Sequence, residues 1–219
     1  MTKAAELAKM GEVITNGQVG GRRNIIINGA MQVAQRGTSF VNIGTSSIAY
    51  GLDRFGIRNA TDAQVTVTQD TSVPNTEFLK SMKLDVTTED TSIGSSQVYS
   101  VQYRVEGIDL AQLGFGQSGT RYFTLSFYHK HTKTGTHCVG ITNSAGNRSY
   151  AAEYTQSVSD TWEQAIIVFP VDTTGTWLTT NEIGAKIYFV LAAGTTFHGT
   201  ANTWSADNTF ATSNQVNNL

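Results

Sequence analysis

Apolar and polar residues alternate along several short stretches of the chain, a pattern typical of β-strands with one buried face. In residues 122–131, Phe123, Leu125 and Phe127 fall on one face and polar residues separate them. Similar strands are predicted at residues 24–28 with a continuation at 31–34, and at 50–57, 65–68, 79–86, 98–105, 139–141, 150–154, 162–169 and 185–191. The pattern therefore predicts about nine or ten short strands.

Turns rich in Gly, Asn and Thr separate these strands, as in residues 132–135 (TKTG) and 143–147 (NSAGN). Many short strands joined by such turns favour an all-β fold, an antiparallel β-sandwich or barrel, and jelly-roll topology suits this length. Helix is predicted only at residues 2–10 and at residues 106–113, which Gly114 ends. We therefore expect a short N-terminal helical arm, residues 1–21, followed by an all-β domain, residues 22–219, that is an antiparallel sandwich or barrel, with a jelly-roll β-sandwich as one solution.

Composition agrees with this fold and narrows the range of functions. Charged residues make up 15% of the 219 residues, while 31 Thr, 17 Ser and 14 Asn supply polar surface without charge. A net charge of −2 and a pI of about 6.1 give no general attraction to nucleic acid or anionic membranes. No stretch approaches the ~20 apolar residues of a membrane span, and no signal peptide is visible. The single cysteine, Cys138, excludes an internal disulfide, so we expect a protein made in a cytosol.

Two patterns suggest a cofactor or metal site, and each has a simpler interpretation. Residues 114–119 (GFGQSG) match G-x-G-x-x-G, but a helix precedes the loop and a strand follows it, the reverse of a dinucleotide-binding unit. His129, His131 and His137 could converge across the hairpin at residues 132–135, yet no Asp or Glu accompanies them. We therefore expect neither a cofactor nor a bound metal.

The sequence gives equally weak evidence for a catalytic site. Cys138 lies within a predicted strand, where a packed, unreactive thiol is the usual state. Paired carboxylates can cleave glycosides, but the spacing brings no two of the candidates together. These candidates are Glu106, Asp109, Glu153 and Glu163. We expect that the protein is not an enzyme.

Aromatic residues near turns offer a different chemistry, stacking on sugar rings. Trp204 and Trp177 lie beside Gly- and Thr-rich loops, and Tyr128 should point away from the face that carries Phe127. If these rings are exposed, they could bind carbohydrate together with neighbouring hydroxyl and amide groups. The competing interpretation places tryptophan in the core of the sandwich, and that is our expectation for Trp162.

An ordered series of segments resembles a widespread tail-fibre-like family of virion proteins from tailed bacteriophages. The segments are residues 24–40 (NIIINGAMQVAQRGTSF), 50–55 (YGLDRF), 101–129, 135–154, 161–163 (TWE) and 172–177 (DTTGTW). The resemblance implies a jelly-roll domain similar to carbohydrate-binding modules, commonly displayed as trimers on virions, and it names no catalytic residue. Members often continue into another strand, which implies here either a missing strand or a sheet that closes with a neighbouring subunit.

These observations together predict a virion protein, assembled in the host cytoplasm, that forms a fibre-like or receptor-binding appendage. Its expected partners are two further copies of itself in a homotrimer, other tail or capsid proteins, and host surface polysaccharide. The arm would anchor the domain to the particle as a helix in a groove, through the apolar residues Leu7, Met10, Val13 and Ile14. The alternative is a capsid decoration, or cement, protein with a purely structural role.

Overall fold

The computed structural model describes residues 24–44 and 46–219, so the predicted helical arm and its anchor residues lie outside the described part. The described chain is an antiparallel β-sandwich with a jelly-roll-like arrangement, as predicted. Its strands are β1 (Ser39–Ile43), β2 (Ser46–Tyr50), β3 (Phe55–Asn59), β4 (Gln64–Asp70), β5 (Ser81–Thr88), β6 (Val98–Glu106), β7 (Tyr122–His129), β8 (Gly135–Asn143), β9 (Ser149–Gln156), β10 (Glu163–Pro170), β11 (Ile183–Ala193) and β12 (Trp204–Ser205). One α-helix, α1 (Gly107–Ala111), and one 3-10 turn, Thr195–Phe197, complete these elements.

The strands form two layers. One layer is a seven-stranded sheet in the order β12-β9-β8-β11-β6-β3-β2, called the large sheet below. The facing layer contains two separate ladders, β1-β4-β5 and β10-β7. The chain passes from one layer to the other after β1, β3, β5, β6, β7, β9 and β10. Repeated crossing of this kind is typical of a jelly roll rather than of a simple meander.

The core lies between the layers and follows the predicted alternation. Tyr103 on β6 is 1% exposed, Val67 on β4 is fully buried, and both belong to one large cluster. On the β10-β7 ladder, Phe123 stacks on Phe169, with ring centroids 5.0 Å apart. Phe127 meets Phe189 of the large sheet edge to face. Burial of these aromatic and β-branched side chains is the main force that holds the layers together.

The opposite, outer face of the large sheet carries a second and smaller core. The segment 194–219 folds across this face and covers Val98, Cys138 and Tyr188 with Phe197 and Phe210. Tyr188 and Phe210 are stacked, with ring centroids 4.3 Å apart. The uncovered remainder of the outer face, towards β2, β3 and β6, holds a polar cleft described below.

Three local predictions were wrong, and each has a physical cause. Residues 24–34 form turns and irregular chain instead of a strand. Asn28 and Met31 have positive φ angles, and the amide of Ile27 donates to the hydroxyl of Tyr103 instead of to a strand partner. The predicted strand 50–57 is interrupted between the end of β2 at Tyr50 and the start of β3 at Phe55, because Arg54 adopts a left-handed conformation in a turn. The helix predicted at 106–113 is present, with the bounds Gly107–Ala111. Trp162 is half-buried at the surface, where its Nε1 donates to the Ser72 hydroxyl, so it is not a core residue.

None of the helices in the described part of the chain has the length and apolar character that a membrane-spanning helix needs.

Candidate functional site

A cleft on the outer face of the large sheet combines an aromatic ring with several charged groups. It measures about 300 Å³ and lies where β2 turns into β3 beside the end of β6. We call it the arginine cleft, lined by Arg36, Tyr50, Asp53, Arg54, Arg104 and Glu106. A second depression of about 180 Å³, near Thr203 and Asp207, is lined mainly by hydroxyl groups and contains no Tyr, Trp or Phe. The arginine cleft is therefore the stronger candidate for a binding site.

The turn between β2 and β3 is held firmly in place. Leu52 is fully buried beneath it, and the amide of Phe55 donates to the Leu52 carbonyl at 3.0 Å. Arg54 has a φ angle of 76°, a left-handed conformation that the tight turn requires. The Asp53 carboxylate accepts a bond from the Gln35 amide at 2.6 Å, and this bond ties the turn to the 24–37 loop. The cleft walls are thus preorganised by backbone contacts.

Each arginine of the cleft is held differently. Arg54 forms an ion pair with Glu106 at 3.1 Å and also lies over the Tyr103 ring. Arg104 donates through Nε to Gln102 at 2.8 Å, and one terminal nitrogen lies 3.4 Å from the Tyr50 hydroxyl. Arg36 lies over the Tyr50 ring, 5.3 Å from its centroid. Tyr50 is 39% exposed, so part of its side chain remains accessible to a ligand.

The two tryptophans predicted to contact sugar do come together, but within the core. Trp177 is 7% exposed and packs on Phe115 with ring centroids 4.3 Å apart. Its Nε1 donates to the Thr174 carbonyl, so the adjacent Gly/Thr turn directs the ring inward. Trp204 is half-buried, and its ring centroid lies 5.6 Å from that of Trp177. Trp177 is therefore a core residue, while sugar contact by Trp204 stays a prediction.

The third predicted contact, Tyr128, lies away from these tryptophans. It is on the outward face of β7, opposite the inward Phe127 as expected, and pairs across the ladder with Gln164. The ring of Phe78 packs edge to face against it. The structure therefore does not unite the three predicted residues in one site.

The three histidines lie close together, as expected from the predicted hairpin, but their ring nitrogens form hydrogen bonds with other groups. His131 and His137 are stacked with centroids 3.9 Å apart. His137 bonds the Lys133 carbonyl and Asn218, and His129 bonds Gln156. Burial lowers the pKa of all three, that of His131 to about 3 with a further contribution from the positive charge of its neighbours. In residues 24–44 and 46–219, no cluster of His, Cys, Asp or Glu could hold a metal ion.

The other candidate groups have structural partners. Burial raises the pKa of the Cys138 thiol, which contacts the Thr212 hydroxyl beneath the segment 194–219. Glu153 accepts bonds from Thr212 and Asn214, and Glu163 accepts bonds from the amides of Ser157 and Val158. Those backbone bonds lower the pKa of Glu163. The carboxylates of Glu106, Glu153 and Glu163 thus take part in three different local networks.

The residues of the arginine cleft carry only a partial signal in the sequence. Gln102 and Arg104 are the polar positions of an alternating strand, which indicates that they point away from Tyr103 and the core. The strand order is what places Tyr50 and Arg54 beside them. A single sequence does not reveal that order, because nothing local specifies which strands become neighbours.

No family model matches the chain, and no curated protein matches its sequence.

Proposed function

We propose that this chain is a virion surface protein, a fibre-like or receptor-binding appendage, that contacts host surface glycans through the arginine cleft. The main observation that supports this proposal is the cleft itself, where a half-exposed tyrosine ring, guanidinium groups and carboxylates line one concave surface. Sugars are bound by this combination, since a ring supports the apolar face of the sugar and polar groups bond its hydroxyls. The phage setting is supported by the resemblance of the ordered segments quoted above.

The proposed role is binding, without a catalytic step. A small cleft gives weak binding at each site, and display of several copies on one particle would raise the overall avidity. We therefore propose a homotrimer on the virion, assembled in the host cytoplasm, with residues 1–21 as the attachment arm. Particles that carry a protein lacking residues 1–21 test the arm directly. Unchanged incorporation of the truncated protein would refute the anchoring role.

A glycan array probed with the full chain tests the binding function. We expect a restricted set of surface glycans to bind, and Tyr50→Ala to reduce that binding about tenfold or more. Tyr128→Ala is the matched control, because Tyr128 is an outward tyrosine of the facing layer. Loss of binding in Tyr128→Ala with full binding in Tyr50→Ala would move the site to the other layer. Absence of binding to every glycan would overturn the proposal.

A second candidate, a capsid decoration protein, is favoured by a different surface. The outward face of the β10-β7 ladder presents Tyr122, Ile166 and Val168 at 64%, 63% and 55% exposure. No charged residue occupies the outward positions of this face, which suits contact with another protein subunit. Labelling the protein on intact particles separates the two roles. A position at the tip of a tail or fibre supports an appendage, whereas an even distribution between capsid subunits supports decoration.

A further inference from the structure

Three cations lie on the outer face of the large sheet, on neighbouring strands: Arg104 on β6, Lys186 on β11 and, four residues further along β6 at the level of Ser100, Arg58 on β3. We call them the cation row. Lys186 lies directly opposite Arg104 in the β11–β6 ladder. Paired residues of neighbouring strands project to the same face, so these two charges are close. Arg104 also lines the arginine cleft, which makes the row continuous with the cleft.

In the described part of the chain, the cation row lacks the carboxylate partner that Arg54, Lys83 and Arg148 have. Among the residues that the structure describes, no carboxylate oxygen lies within 4.0 Å of the cationic groups of Arg58, Arg104 or Lys186. Lys186 donates instead to the Ser144 carbonyl, and Arg58 lies over the rings of Phe197 and Phe210. Burial and the positive charges of Arg104 and Arg58 lower the pKa of Lys186.

Like charges directly opposite each other in a sheet destabilise it. The row therefore makes the unliganded protein less stable than a sheet with neutral residues at these positions. An anion placed against Arg104 would remove that repulsion and would gain charge-assisted hydrogen bonds. Such an arrangement, unfavourable when empty and favourable when occupied, is typical of a functional site.

The acidic residues of the cleft limit how many negative charges and hydroxyl groups the ligand can carry. Asp53 and Glu106 line the cleft together with Arg104, so a ligand that contacts all three meets both acceptors and donors. Carboxylates accept hydrogen bonds from hydroxyls and repel a second negative charge. A ligand with one acidic group and several hydroxyls satisfies both requirements.

We propose that the arginine cleft selects a saccharide that carries a carboxylate, with the acidic group at Arg104 and the hydroxyls towards Asp53 and Glu106. This inference rests on the proposed function and adds the class of sugar. A nucleic acid fits less well, because the whole chain has a net charge of −2 and the cleft itself contains two carboxylates. A volume of about 300 Å³ is at the lower end of ligand pockets, enough for a small ligand or one end of a longer chain.

Calorimetry with matched ligand pairs tests the proposal. The probes are oligosaccharides of galacturonic, glucuronic and N-acetylneuraminic acid, each beside the same oligosaccharide after reduction of its carboxylates to alcohols. We expect at least one acidic form to bind at least tenfold more tightly than its reduced partner, with affinity falling as salt is raised. Equal binding of both forms would overturn this inference and leave glycan binding intact. No binding of any oligosaccharide, together with an empty glycan array, would overturn the proposed function as well.

Single substitutions identify the residues that bind the acidic group of the sugar. Arg104→Gln should weaken binding of the acidic form about tenfold or more, since it removes a charge-assisted contact. Lys83→Gln removes the same charge from an exposed position on β5 and should leave binding unchanged. Arg36→Gln, an exposed loop change, gives a second test if Arg104→Gln fails to fold. Unaltered acidic-sugar binding in both arginine variants, or equal affinity for a single-stranded DNA oligonucleotide, would overturn the proposal.

Discussion

At the scale of single residues, the most buried ion pair among the described residues joins Arg148 and Asp172. Two bonds of 2.7 and 2.9 Å join them, and the Asp172 side chain is 3% exposed. Burial alone would raise the pKa of Asp172, but bonds from Arg148 and Thr174 hold it below its ordinary value. This carboxylate also fixes the turn that directs Trp177 into the core, through its bonds to Thr174.

Replacing Arg148 by Met should lower the free energy of unfolding by about 3 kcal/mol, because Asp172 would remain buried without a partner. Urea unfolding monitored by tryptophan fluorescence measures this loss. Lys83→Met breaks the exposed pair with Asp85 and should cost less than about 1 kcal/mol. An equal loss of unfolding free energy in the two variants would contradict a larger contribution from the buried pair.

The histidine cluster predicts how stability depends on pH. His129, His131 and His137 have lowered pKa values in the folded protein, that of His131 near 3, whereas an unfolded histidine titrates near 6.5. The unfolded chain therefore binds more protons below about pH 6.5, and stability falls as the pH is lowered towards 3. Each histidine that stays neutral contributes a slope of about 1.4 kcal/mol per pH unit.

Urea unfolding at pH 7, 6 and 5 checks this slope. In His131→Phe, a planar ring without a proton to gain should keep the stack and make the slope shallower. A wild-type stability that stays constant from pH 7 to 5 would contradict the prediction.

At the scale of elements, the segment 194–219 depends on one glycine of the large sheet. A Cβ atom added at Gly140 would lie 2.6 Å from the backbone oxygen of Phe210, so the segment could not keep its position. Gly140 thus permits the close approach that buries Phe210 and Cys138.

Gly140→Ala should displace this segment and lower the free energy of unfolding by about 1–3 kcal/mol. The reaction of Cys138 with a thiol reagent should become much faster, because Cys138 is fully buried in the native protein. Gly44→Ala is the matched control, since an added Cβ atom meets nothing within 4 Å there. An unreactive Cys138 in Gly140→Ala would show that the segment adjusts without opening.

Elements differ in how far local sequence specifies them. Strands such as β6 and β7 were predicted well, because alternation and a buried face act together in each of them. The run 24–28 was predicted wrongly as a strand, because the hydroxyl of Tyr103 and the positive φ of Asn28 override its β-branched residues. The burial of Trp177 was not predicted for a similar reason: proximity to a turn does not reveal which way the folded turn directs its neighbour.

At the scale of the whole molecule, the fold class followed from the pattern of strands and turns, but the arginine cleft did not. Arg36, Tyr50 and Arg104 are distant in the chain and become neighbours only through the order of strands in the large sheet. The uncharged face of the β10-β7 ladder likewise becomes visible only when the pairing of its two strands is known.

If the proposed trimer forms through this face, Ile166→Asp should convert it to monomers, because three buried carboxylates would repel one another. Light scattering on the purified full chain measures the mass. Val41→Asp, at an equally exposed apolar position on β1, should leave the trimer intact. A monomeric wild-type protein at the concentration found on particles would contradict the trimer itself.

The division of the facing layer into two ladders has a consequence for local unfolding. Among the described strands, β7 and β10 form backbone ladder bonds only with each other, so the pair can separate from the sandwich without breaking any other ladder. Packing against the large sheet, as of Phe127 on Phe189 and Phe169 on Tyr150, and side-chain bonds such as that between His129 and Gln156 oppose that opening. Amides of β7 and β10 should exchange with deuterium sooner than those of β6 and β11 at the centre of the large sheet. A contact made on the β10-β7 face would slow this exchange, which makes deuterium uptake there a direct report of subunit association.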